Sequence, residues 1–157
     1  MIIWSLPGNT SRYGAINCDA ANRTSYHFLF ETLSQTKQNS LESFIRDSIP
    51  NGHYVLVYTL NNAYIKNWPQ SLVNLFQSYG SEKLPELQNS LTALPWAFFF
   101  RKMSYNRNTI SEVCGKSEDD IIYLSGKISD KWHTGSMETQ VIRGMVNIEK
   151  MEWGSSV

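Results

Sequence analysis

Residues 53–60, HYVLVYTL, limit what this protein can become more than any other stretch. Successive strand residues point to opposite faces of a sheet. Val55 and Val57 therefore fall on one face and Leu56 and Tyr58 on the other, and both faces are apolar. A strand of that kind belongs in the middle of a sheet, covered on both sides. Pro50-Asn51-Gly52 supplies the turn that leads into it. A second core strand follows in PWAFFFRKM, residues 95–103.

The flanking segments read as cover for that core. Asn39 is placed to cap a helix, with Glu42 three residues on as in a capping box and Leu41, Phe44, Ile45 and Ser48 on one face. A second helix starts around Pro69, buries Leu72, Leu75, Phe76 and Tyr79, and stops at Gly80. A short helical turn over 85–92 turns Leu84, Leu87 and Leu91 inward. Residues 2–6, 13–18 and 26–33 read as strands, as does most of the sequence beyond 110. Strands surrounding two or three short helices make an α+β domain with a mixed sheet or a two-sheet, sandwich-like β core.

At 157 residues this is about one domain, long enough to bury roughly two-thirds of its unfolded surface. Fourteen basic residues balance fourteen acidic ones, so no overall field draws the protein to nucleic acid or to an anionic membrane. No apolar run approaches membrane-spanning length, and membrane insertion is not expected. The opening MIIWSLPGN lacks the basic residues and long apolar stretch of a signal peptide. The sequence is thus either cytosolic or a piece of a longer exported protein.

Chemistry-bearing motifs are sparse. His27, His53 and His133 are too scattered for a zinc-protease pattern, and His53 at the mouth of a buried strand reads as structural. There is no G-x-S-x-G elbow. Gly115-Lys116-Ser117 resembles the tail of a phosphate-binding loop, but Ile110 stands where that motif needs its first glycine. The acids after Cys114 raise a thiol pKa, so Cys114 reads as inert. Cys18 and Cys114 allow either one disulfide or two free thiols. The acidic run 116–120 lacks the regularly spaced oxygens of a calcium loop. No metal or cofactor is expected. Asn9-Thr10-Ser11 and Asn22-Arg23-Thr24 fit the N-glycosylation triplet, which matters only in a eukaryotic secretory pathway. Trp68 and Trp132 neighbour polar loops and could stack on a sugar or anchor a partner. The candidate contact surface joins Asn61, Asn62 and Trp68 to Trp132 and His133.

The order of pieces between 41 and 102 is more distinctive than any one of them. LESFIRDSIPNGHYVLVYTLNN, an amphipathic helix, FQSYGSEKLPEL and PWAFFFRK resemble the interleukin-like EMT-inducer domain, also called PANDER-like or GG. Phe44, Ile45, Gly52, Val55, Leu56, Gly80, Ser81, Trp96, Phe98 and Lys102 fall on that family's positions, with GAIN at 14–17 like its opening strand. The resemblance covers about residues 12–105. In the tail, Gly135, Ser136, Met137, Ile142, Gly144 and Trp153 are similar to the segment that follows this domain in bacterial PorU-like surface proteins linked to type IX secretion. The resemblance implies a noncatalytic extracellular module of compact two-sheet fold, associated with protein or carbohydrate recognition. It divides the sequence into a domain over 1–128 and a C-terminal β hairpin, or the start of a following module, over 129–157. The pattern is broken at Asn61-Asn62, where relatives often carry an acidic pair, and at Ala93-Leu94-Pro95, where many carry Arg-Asp. Phe99 stands in place of the eukaryotic cysteine.

The expected function is that of a binding or structural module of a bacterial surface or secretion-associated protein, meeting a protein partner or a glycan through loop aromatics. The expected location is the cell surface or the extracellular space as part of a longer protein, with the cytoplasm as the alternative. A small hydrolase with a dispersed Ser/His/Asp site, or a brace for a neighbouring peptidase-like domain, is the competing reading.

Overall fold

The computed structural model describes residues 2–6, 27–60, 62–103, 109–129, 133–142 and 145–155. The expected strand over 13–18 lies outside them. The fold is α+β. Strands β1 (Ile2–Leu6), β2 (His27–Leu29), β3 (Tyr54–Tyr58), β4 (Trp96–Arg101) and β5 (Ser111–Cys114) form a five-stranded sheet in the order β2-β1-β3-β4-β5. Strands β6 (Ile122–Ser129), β7 (His133–Ile142) and β8 (Met145–Ser155) form a three-stranded sheet. Every described strand pairing is antiparallel, so the mixed-sheet alternative is not what forms.

β3 lies at the centre of the larger sheet, and all its residues are buried. The alternation works as the sequence dictates. Val55 and Val57 join Trp96, Phe98 and Phe100 of the neighbouring strand on one face, beneath the helices. Leu56 and Tyr58 join Ala97 and Phe99 on the other, where Ile122, Leu124 and Ile128 of β6 cover them. The two sheets come so close at Gly126 that a Cβ there would stand 2.5 Å from the Phe99 ring.

Helix α1 (Gln35–Ser43) begins earlier than Asn39. Its first turn is drawn in by packing: Gln38 is buried and donates from Nε2 to the Thr32 carbonyl. Asn39 is thus inside the helix, and Glu42 is no capping-box partner. It accepts instead from Arg46 and from the Ser71 hydroxyl of the next helix. The α-helix then widens into a π turn over Phe44–Ser48, which moves the buried face from the exposed Ser48 to Ile49. Leu41, Ile45 and Ile49 carry that face.

The widened end of α1 is held by a lysine. Lys102, only 3% exposed, follows β4 and donates from Nζ to the carbonyls of Ile45, Arg46 and Ile49. An ammonium has three N–H donors and a neutral amine two, so the site is matched to the charged form. A cation there also complements the negative end of the helix dipole. Burial pushes the Lys102 pKa down, and the nearby Asp47 carboxylate works against that shift.

Helix α2 (Gln70–Ser78) follows Pro69 and buries Leu72, Val73 and Phe76, with Leu75 and Tyr79 half-buried against the same core. Gly80 ends it at φ +99°, a conformation that favours glycine. Helix α3 (Leu84–Gln88) buries Leu84 and Leu87. Leu91 does not follow them inward; it is 97% exposed. The helix ends at Gln88, and a Ser90–Thr92 turn carries the backbone outward in its place. Among the described residues no helix is long and apolar enough to cross a membrane.

Lys102→Met keeps the apolar stem and removes the donor from three carbonyls that end a helix. Urea unfolding should show a loss of roughly 3 kcal/mol with an unchanged m value. Gly126→Val should destabilise by about 1–3 kcal/mol in the same assay, because the added carbons overpack the Phe99 contact.

Candidate functional site

The segment after β3 makes a sharply bent platform. Asn62 accepts from the Tyr64 backbone N–H through Oδ1, at 2.8 Å. Tyr64 takes left-handed backbone angles, φ 51° and ψ 37°, which are uncommon for a residue with a bulky side chain. A single 3₁₀ turn, Ile65–Asn67, follows. Underneath, the Ala63 carbonyl accepts two bonds, from the Thr32 hydroxyl at 2.6 Å and from the Trp68 indole N–H at 3.0 Å. The strained turn is therefore fixed from the core side.

This arrangement corrects the reading of Trp68. It is not a surface aromatic: it is 4% exposed and rests against Phe76 and Trp96. Of the other expected contact residues, Asn62 is exposed on the platform. Asn61 and Trp132 lie outside the described residues. His133 is described by its backbone, at the first pair of β7 with Ser155 of β8. The described residues thus bring together only the Asn62–Trp68 part of the expected surface.

What the platform does border is a groove. Asn62, Tyr64 and Lys66 form one wall and Ser90, Leu91 and Thr92 the other, over a floor that includes Ile65, Leu87 and Leu94. Ile65 and Leu87 are buried, and Leu94 is half-buried. Ser90 and Thr92 are engaged with one another: Ser90 Oγ donates to the Thr92 carbonyl and accepts from its N–H. Glu118 accepts the Ala93 N–H and braces the second wall. Sequence reasoning missed Tyr64, Lys66 and Leu91. The only signal for Leu91 was its position between Ser90 and Thr92, a turn-forming pair that interrupts helical spacing.

The other titratable groups serve the scaffold. Glu112 of β5 accepts from the Ser81 hydroxyl, the Glu82 and Lys83 N–H groups and the Trp96 indole, joining the start of α3 to the core. Asp120 closes the acidic turn by accepting from the Lys116 and Ser117 N–H groups and the Ser117 hydroxyl, which hold its pKa low. Cys114 is a free, half-buried thiol whose pKa is raised, first by burial and then by Glu86 and Glu112. The direction is the one the sequence suggested, though burial leads it. Tyr58, buried beneath β6, has its pKa pushed up to about 12. Among the described residues no group of three or more His, Cys, Asp or Glu could hold a metal ion.

His53 lies just before β3 with its carbonyl accepting the Lys102 N–H. Burial, then the Lys102 charge, lowers its pKa below the ordinary 6.5.

No protein-family model, curated protein or solved structure matches this sequence.

Trp68→Ala should cost about 3–5 kcal/mol of stability in denaturant titration, the loss of a core aromatic. For His53 the folded state binds protons less readily than the unfolded state does. Stability is then fully present above pH 6.5 and declines as pH falls through the lowered folded value. A His53→Asn variant should show a flatter acid limb than wild type when melting temperature is followed against pH.

Proposed function

We propose that the protein is a noncatalytic recognition module that meets its partner at the groove between Asn62–Lys66 and Ser90–Leu94. The observation that carries this reading is a rigid, strained turn facing an extruded leucine. Tyr64 is held in the left-handed region by an anchored Ala63 carbonyl, and across the groove Leu91 is almost wholly exposed. Backbone strain and solvent-facing apolar side chains both cost stability, and together in one concavity they favour a contact role over a folding role. The aromatic on this surface is Tyr64 in place of Trp68.

The noncatalytic reading is supported by how the described acids and the buried lysine are engaged. Glu112, Asp120 and Lys102 commit their hydrogen bonds to backbone and neighbouring side chains of the scaffold. The similarity of residues 12–105 to the interleukin-like EMT-inducer domain, and of the tail to PorU-like proteins, supports a place on a bacterial surface or in a secretion-associated protein.

Selection from a displayed random-peptide library, run beside a glycan array, tests the surface. Ligands recovered with wild type should lose at least about tenfold in affinity for a Tyr64→Ala/Leu91→Ala double variant. Equal binding by the double variant, with its fold verified by circular dichroism, would show that recognition lies elsewhere.

A further inference from the structure

We propose that the groove takes an extended peptide segment bearing an apolar side group next to a carboxylate, the first lying against Leu91 and the second against Lys66. This rests on the groove being a contact surface, and it adds what the groove selects.

Two observations favour a peptide over a sugar. A sugar is held by a fan of free polar groups, but here the polar side groups are largely engaged. Ser90 and Thr92 bond each other, and Asn62 Oδ1 accepts the Tyr64 N–H. The acidic pair and Arg-Asp that could have anchored hydroxyls are replaced by Asn61-Asn62 and neutral residues. What remains for a ligand is largely apolar: the exposed Leu91 and a floor of Ile65, Leu87 and Leu94.

The charge follows from Lys66. Among the described residues it is the one charged group lining the groove, and it is exposed. Among the described residues no carboxylate pairs with it, while Arg46 and Lys83 each have a partner. Glu118, the acid bonded to the second wall, is taken up by the Ala93 N–H. The groove therefore offers an apolar contact with one available cation, the complement of an apolar residue beside an aspartate, a glutamate or a terminal carboxylate.

Two synthetic peptide pools test this, each with a central Leu or Phe in randomised neutral flanks, one carrying Asp or Glu at the adjacent positions and the other Lys or Arg. Wild type, Lys66→Glu and Leu91→Ser are compared by fluorescence anisotropy, with thermal melting to verify that each variant folds. Wild type should prefer the acidic pool by about fivefold, the size of an exposed ion pair. Lys66→Glu should invert that preference, and Leu91→Ser should weaken both pools. Wild-type binding of both pools that Leu91→Ser weakens and Lys66→Glu leaves unchanged overturns the carboxylate inference and leaves the groove standing as a contact surface. Binding that neither substitution alters overturns both. If neither pool binds wild type, the peptide inference falls; the reading beneath it then falls too unless a glycan binds and is lost in the Tyr64→Ala/Leu91→Ala variant.

Discussion

The structure depends on two adjacent strands that have no wet side. β3 and β4 pair along their length, from Tyr54 with Arg101 to Tyr58 with Ala97, and nearly every residue in both is buried. Burying an apolar side chain is worth about 1.5–3 kcal/mol, so leaving either face open would forfeit a large share of the stability of a small domain. Two covers must therefore be built. One is the layer of α1, α2 and α3; the other is β6, pressed against Phe99 closely enough to require glycine at 126.

A layer of short helices is only as good as its attachment, because helices this brief are marginal alone. Two polar side chains supply it. Lys102 leaves the end of β4 and grips the carbonyls at the end of α1. Glu112 leaves β5 and grips the N–H groups at the start of α3 while also holding Trp96. Each charge faces the helix end of opposite polarity, so the sheet fastens both ends of the layer electrostatically as well as through apolar contact. The residues that carry the family resemblance are concentrated in these fastenings. Phe44 and Ile45 lie at the gripped turn, Lys102 is the grip, and Ser81 and Trp96 share Glu112. Such a likeness speaks to scaffold before it speaks to ligand.

How much could be read from the sequence follows from the range of the forces involved. The two core strands, the burial of α2 and the stop at Gly80 were legible because periodicity and local backbone chemistry decide them. The start of α1 was not, because Gln38 is recruited by a bond to Thr32 that no capping pattern announces. Trp68 reads as a surface ring among polar neighbours. A single 3₁₀ turn swings it inward, where its N–H meets a backbone carbonyl that sequence cannot place. Lys102 looked like the polar end of a strand, and only the fold shows it meeting a helix terminus more than fifty positions back. The contact surface was half legible: its first wall was named through Asn62, while Lys66 and Leu91 depend on where two loops meet.

The doubly bonded Ala63 carbonyl also bears on how fast and how selectively a partner could be met. A recognition loop that is settled only on contact loses motional freedom at that moment, and its affinity suffers accordingly. Here the settling belongs to folding itself, since Thr32 and Trp68 reach the carbonyl from the interior. The wall is then a preformed mould: it discriminates by shape at first encounter, and it has little capacity to reshape itself around a second, dissimilar guest.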